Sequence, residues 1–238
     1  MKSKPIKAIV WDLDGTLIDF RINSIKARRK AIKILRGYGI PNDILSSKTP
    51  LLEIVRTSRE FLSNLGFSNE NIEEIIKEVN NVVILIEHDA AVRATLTEGI
   101  LEVLEFAHDC GLKQAVFTYN TNRNAITSLE TAGISHFFEV VAGRDDIKNL
   151  KPHPDHLKYI CERIGVDLDE IVVIGDTGRD IEAALLTKSK SIALNTKIPS
   201  FIKRDLFAEA DKVVELHEIP NELIKTLGEF LQLNKNKL

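Results

Sequence analysis

The sequence predicts an α/β fold: a parallel sheet with helices on both faces, interrupted near its start by a helical insertion. Three observations point there. Six short runs rich in β-branched residues read as buried strands. After the first run, strands alternate with helical patterns, an order that favours parallel pairing through crossover helices. The segment from about Phe20 to Ala94 carries helical patterns and no strand.

The strand runs are KAIVWD from Lys7, KQAVFT from Lys113, FFEVVAG from Phe137, EIVVIGD from Glu170, SIALN from Ser191 and KVVEL from Lys212. Between them, Ile100, Leu101, Leu104 and Ala107 keep a helical period behind Thr97 as N-cap, with Gly111 as the stop. A second helix runs from Asn122 to Ala132 and stops at Gly133; others follow Pro154, Gly178 and Asn221. In the insertion, Gly37, Pro41, Pro50 and Gly66 punctuate the helices. Val82–Ile86 has the composition of a strand, but Ile72, Ile75, Ile76 and Val79 lead into it at helical spacing, so it reads as helix. The division is therefore 1–19 with 95–238 as the α/β core and 20–94 as a second, helical lobe. The final LNKNKL reads as a frayed tail.

A chain of 238 residues, 44% hydrophobic and 28% charged, has the makings of a soluble globular protein. Its formal charge of −3 provides no strong field for nucleic acid or an anionic membrane. No apolar run is long enough to span a bilayer, VVILI at Val82 being far too short, and the basic N-terminus lacks the apolar stretch of a signal peptide. Cys110 and Cys161 stand apart with no metal-ligand spacing, as reduced thiols in a cytoplasmic protein would.

The chemistry lies in where the polar residues fall. Asp12 and Asp14 end the first strand, Thr118 the second and Asp176 a later one, while Lys151 precedes a helix in LKPHPD. All belong to the carboxyl edge of a parallel sheet, where open α/β folds bind ligands. An acidic pair can simply cap a strand-to-turn junction. Carboxylates, a hydroxyl and an ammonium converging from separate strand exits are hard to assign to packing.

Taken in order, DLDGTL, the threonine of VFTYN, the lysine of KPHPD and the acidic GDTGRD resemble the four motifs of the haloacid dehalogenase superfamily, over residues 9 to about 194. The helical insertion stands where the C1-cap subclass carries its cap. Within the superfamily the chain is similar to the phosphoglycolate phosphatase and β-phosphoglucomutase-like branch. The resemblance implies a Rossmann-like core with an inserted helical cap. It also implies Mg²⁺-dependent hydrolysis of a small phosphate ester through an aspartyl-phosphate, in a monomer or homodimer.

Residue by residue, it implies Asp12 as nucleophile and Asp14 as general acid and base, two carboxylates with opposed protonation needs. Gly15 permits the sharp turn beside the ligand, and Thr16 is expected to hold Asp14 by its hydroxyl. Thr118 and the amides of Tyr119 and Asn120 are expected to hold phosphate oxygens, helped by the N-terminus of the following helix. Lys151 would steady Asp12 and the phosphate. The magnesium ligands would be the Asp12 carboxylate, the Asp14 backbone carbonyl and Asp176, with Asp180 either a direct ligand or acting through water. His153 reads as a helix-entry residue.

By the same family resemblance, the second aspartate makes the chain similar to the phosphatases and phosphomutases, since haloacid dehalogenases and phosphonate hydrolases lack an Asp at that position. Among the insertion's arginines, Arg28, Arg29, Arg56 and Arg59 are candidates for an anionic leaving group. Arg59, in TSREFL, is the first choice; any one of them also reads as a solvated helix face. A phosphomutase and a non-catalytic phosphate-binding module are the alternatives, the latter disfavoured by four intact motifs. Glycolate, sugar, nucleoside and amino-alcohol phosphates all fit as substrate.

Overall fold

Strand β1 (Ala8–Trp11) lies in the middle of a six-stranded sheet ordered β5-β4-β1-β6-β7-β8. The others are β4 (Lys113–Phe117), β5 (Val140–Ala142), β6 (Ile171–Gly175), β7 (Lys190–Asn195) and β8 (Lys212–Glu215). Every neighbouring pair is parallel, with Val10 opposite Ala115 on one side and Val173 on the other. The computed structural model describes residues 4–19, 22–196 and 206–232. Each of the six predicted runs contains its strand or most of it. Phe137 falls instead in a 3₁₀ turn, Ser135–Phe137, ahead of the shortened β5. The tail read as frayed lies outside the described residues.

Side-chain alternation divides the core between the two faces. Ile9, Trp11, Val116, Val172 and Ile174 pack with α4 (Ile100–Asp109), α5 (Asn122–Thr131) and α8 (Asn221–Phe230). Ala8, Val10, Ala115, Phe117 and Val173 pack with α6 (Pro154–Ile164) and α7 (Gly178–Thr187). Trp11 is fully buried, and its Nε1–H donates to Gln114 Oε1 at 3.0 Å, so the indole's polar atom is satisfied within the core.

Thr97 is not the N-cap of α4. Gly99 holds that position at φ +79°, while Thr97 is drawn into the turn before it, its N–H donating to Leu17 O and its carbonyl accepting from Ile100 N. Leu17 belongs to the approach to a two-stranded antiparallel ribbon that the sequence did not signal, β2 (Ile18–Asp19) with β3 (Thr95–Leu96). Two-residue strands carry no period to read.

The chain divides into two units, Met1–Phe20 with Arg93–Leu238, and Arg21–Val92. The second is helical: α1 (Ser24–Gly37), α2 (Leu51–Asn64) and α3 (Asn69–Ala91), with Val82–Ile86 inside α3. Asn23 and Ser68 cap α1 and α3 by accepting from Lys26 N and Asn71 N. Ala31, Ile32 and Leu35 of α1 meet Ile54 and Leu62 of α2 and Ile72, Ile75, Ile76 and Val79 of α3 in a core of their own. Among the described residues, no helix is long and apolar enough to cross a membrane.

Candidate active site

Three adjacent strands deliver the site. β1 ends at Trp11 and hands on Asp12; β4 ends at Phe117 and hands on Thr118; β6 ends at Gly175 and hands on Asp176. Since β1 stands between β4 and β6, these residues leave side by side, about 4.8 Å apart per strand. The connections from β1 run one way to β4 and β5, and the later strands are laid on its other side. That reversal is the switch point where such sheets bind ligands.

Beyond Asp12 the chain turns on Gly15, at φ +90°, with its N–H donating to Ile18 O at 2.8 Å. The turn brings Thr16 back towards the strand: its Oγ1 lies 3.5 Å from Asp12 Oδ2. The expected bond from Thr16 to Asp14 is therefore corrected. Asp14 accepts instead from Thr118 Oγ1, at 3.3 Å, across the β1–β4 boundary.

Lys151 enters from the loop between β5 and α6 and is 3% exposed. Its ammonium donates to Asp12 Oδ1, to Asp180 Oδ1 at 2.7 Å and to Phe117 O at 3.1 Å, using all three protons. It also stands 4.1 Å from the centre of the Phe117 ring. Burial alone would lower the lysine's affinity for its proton, but Asp12 and Asp180 outweigh it and the pKa is raised. Burial pushes Asp12 up to about 6, against the opposing pull of Lys151. The Lys151–Pro152 peptide bond is cis. His153 caps α6, accepting from Asp155 N, and Pro154 takes the first helical position.

In the loop after β4, Thr118 is fully buried; its N–H donates to Ala142 O and its Oγ1 accepts from Asn120 N at 3.0 Å. The Asn120 amide is thus turned inward, which revises its expected role. What Asn120 offers is its side-chain Nδ2, buried and without a hydrogen-bond partner among the described residues. Arg144 anchors the loop through the carbonyls of Tyr119 and Asn120. Tyr119 lays its ring beside the lysine loop: its hydroxyl donates to Lys151 O, and the Arg179 guanidinium stands 5.1 Å from the ring centre. Burial raises the pKa of this phenol. Thr121 caps α5, whose N-terminus lies directly after the loop.

Asp12, Asp176 and Asp180 bring carboxylate oxygens within 4.8 Å of one another. Asp180 is heavily committed: Oδ1 takes Lys151, and Oδ2 takes Thr177 N and Thr177 Oγ1 at 2.9 and 2.6 Å in a capping box. Asp176 is different. Its Oδ2 accepts from Thr196 at 3.2 Å, while Oδ1 is buried with no partner among the described residues. Burial, then the charges of Asp12 and Asp180, push Asp176 up to about 9. Three buried carboxylates face one ammonium, a deficit of positive charge that a hard divalent cation fits.

The structure thus brings together Asp12, Asp14, Thr118, Tyr119, Asn120, Lys151, Asp176 and Asp180. Arg59 lies in the helical unit, on α2, where its two terminal guanidinium nitrogens donate to the Glu73 carboxylate of α3. One residue at the site went unread in the sequence: His156, fully buried and bonded to the lysine loop. In sequence it is one polar letter within an amphipathic helix, with no motif to mark it.

Fold and site together define an α/β protein with carboxylates gathered at the switch point of a parallel sheet. The chain belongs to the haloacid dehalogenase-like hydrolases, whose family model matches residues 9–194. It is 26% identical over 181 residues to pyrophosphatase PpaX of Halalkalibacterium halodurans, covering 74% of this chain and 77% of that one. It is likewise 26% identical over 211 residues to phosphoglycolate phosphatase of Salmonella paratyphi A, covering 81% and 82%. Among solved structures, β-phosphoglucomutase from Clostridium difficile shares the fold with a TM-score of 0.66, at 22% identity over 95% of this chain and 99% of that one.

Proposed function

We propose that this protein is a magnesium-dependent phosphatase of small phosphate esters, working through a phosphorylated Asp12. The observation that carries the reading is the buried junction of Asp12 with Lys151 and Asp176, beside an Asp14 held by Thr118. A lone carboxylate at a strand end would not need an ammonium and two further carboxylates around it. The phosphatase names of the relatives support the same reaction class.

In this reading a carboxylate oxygen of Asp12 attacks phosphorus, and the ester P–O bond breaks. The departing alkoxide takes a proton from the Asp14 carboxyl group. Asp14, now ionised, takes a proton from water as that water attacks the aspartyl-phosphate; inorganic phosphate leaves and Asp12 is restored. The Tyr119 amide and Asn120 Nδ2 hold the phosphate oxygens, joined by Lys151 and Thr118 once the phosphate takes over from Phe117 O and Asp14 as their acceptors, and the α5 N-terminus favours the phosphate charge. Asp12, Asp176 and the Asp14 carbonyl would hold Mg²⁺, with Asp180 acting at one remove because its oxygens serve Lys151 and Thr177. Mg²⁺, when bound, neutralises phosphate charge.

The test is phosphate release from a panel containing phosphoglycolate, pyrophosphate, sugar phosphates and an aryl phosphate, with and without Mg²⁺. Asp12→Asn serves as control. Release that needs Mg²⁺ and disappears in the variant supports the reading; isomerisation of a sugar phosphate without net release would replace it with a mutase. Arg59 is proposed as a contact for the leaving group. Arg59→Ala should then reorder the panel while sparing the aryl phosphate, and a uniform loss would reduce it to a brace for Glu73. The chemistry needs only a small-molecule partner, and a cytoplasmic setting suits two cysteines that form no disulfide.

A further inference from the structure

We infer that His156 is the positioning residue for Lys151: a buried, neutral imidazole that clamps the lysine's backbone to the end of β5 and so aims its ammonium at Asp12. The inference rests on the phosphatase reading above and adds to it a residue outside the four motifs.

His156 lies on the first turns of α6 and is fully buried. Its Nδ1 is 3.2 Å from Lys151 N, and its Nε2 is 3.2 Å from Ala142 O. An amide N–H can only donate and a carbonyl can only accept. The ring must therefore accept at Nδ1 and donate from Nε2–H, which only the neutral Nε2–H tautomer does. Protonation would destroy one of the two bonds. The surroundings agree: burial, then the Lys151 charge, push this imidazole down to about 4.

The partners show what the clamp controls. Ala142 O also accepts from Thr118 N, so one carbonyl registers both the lysine loop and the threonine loop. The imidazole meets the Phe117 ring edge-on, with centroids 5.5 Å apart. That same ring carries the Lys151 ammonium 4.1 Å from its centre, and Phe117 O accepts from it. Lys151 is thereby fixed at both ends, at its backbone N–H by His156 and at its ammonium by Phe117, Asp12 and Asp180. A histidine meant only to fill this space would not need one nitrogen bonded to the lysine loop and the other to the strand end that also holds Thr118.

Two variants separate positioning from packing. His156→Phe keeps an aromatic ring of similar size against Phe117 and loses both bonds. His156→Gln loses the ring but carries an acceptor and a donor that can serve the two partners. On the best substrate of the panel, His156→Phe should lower kcat on the order of tenfold to a hundredfold, the effect of slight misplacement of a charged group. Its thermal midpoint should stay near the wild type's, and His156→Gln should recover much of the rate. Wild-type turnover in folded His156→Phe would overturn the inference. So would equal losses of rate and thermal midpoint in both variants, since that is what packing alone predicts. If His156→Phe does not fold, the rate of His156→Gln decides: a rate as low as that of Lys151→Met counts against the clamp. Independently of any activity, ¹⁵N NMR of the wild-type histidines should show one ring protonated at Nε2 and unprotonated at Nδ1 at pH 6. A proton on Nδ1 would sink the clamp, whereas an inactive wild type with the Nε2–H signature would sink the phosphatase reading alone.

Discussion

Lys151 and Asp12 form a buried ion pair across 139 residues of chain, and Asp180 holds the lysine from the other side. Taking these charges out of water is costly, and their mutual attraction is what offsets it. Lys151→Met should therefore cost stability, whatever it does to turnover, because it strands carboxylates in the interior. Breaking such a pair costs about 3–5 kcal/mol. Denaturant unfolding in the absence of metal should show that loss, and Asp12→Asn, which relieves carboxylate crowding, should show none. Equal stability of Lys151→Met and wild type would mean that water reaches the pair.

The carboxylate cluster makes a prediction about metal that needs no substrate. A cation that binds the folded state and ignores the unfolded one raises the thermal midpoint by mass action. Millimolar Mg²⁺ should raise it for the wild type at pH 7.5 and leave Asp176→Asn almost unmoved. Differential scanning calorimetry with and without chelator reads the difference. A shift that persists in Asp176→Asn would place the ion elsewhere.

How far the sequence could be read follows the length of each signal. The strands of the sheet announce themselves as apolar runs, and EIVVIGD and KQAVFT stop where β6 and β4 stop, because their polar ends are also the site. Asp12, Thr118 and Asp176 each end such a run and Lys151 opens the KPHPD lead-in to a helix, so all four could be picked out in advance as neighbours at one sheet edge. What could not be read is set by side-chain direction in three dimensions. Thr16 is expected from sequence to hold Asp14 and Thr118 to hold phosphate, and only the folded turn sends the first to Asp12 and the second to Asp14. His156 sits at a helical position indistinguishable from core, and its bonds span a loop and a strand end that sequence spacing does not relate. Gly99 displaced Thr97 as cap because Thr97 was already held by Leu17, an interaction with a segment 80 residues away.

His156 should also leave a mark on acid stability. The folded protein holds its pKa at about 4, while in the unfolded chain it is near 6.5. Between these values the unfolded state binds a proton that the folded state refuses. Stability contributed by the neutral ring is complete above pH 6.5 and is lost as pH falls towards 4, by on the order of 3 kcal/mol at most. Paired carboxylates such as Glu170 and Glu222 add their own acid dependence. Their share is common to wild type and His156→Gln and cancels in the difference. Urea unfolding from pH 7 to pH 4.5 should therefore fall more steeply for the wild type, and parallel curves would show that the ring is hydrated or already protonated.

Gly175 ends β6 where the Asp180 side chain folds back over it. A Cβ there would overlap Cβ, Cγ and Oδ2 of Asp180. Asp180 cannot easily yield, since Lys151, Thr177 N and Thr177 Oγ1 all hold its oxygens. Gly175→Ala should cost about 1–3 kcal/mol, the usual penalty for overfilling a packed site, and should lower kcat by displacing the partner of Lys151. If the clash is the cause, the same substitution made in Asp180→Gly should cost much less. A double-mutant cycle on unfolding free energy measures that coupling. A full, additive loss in both backgrounds would assign the glycine's role to the strand backbone and release Asp180 from the explanation.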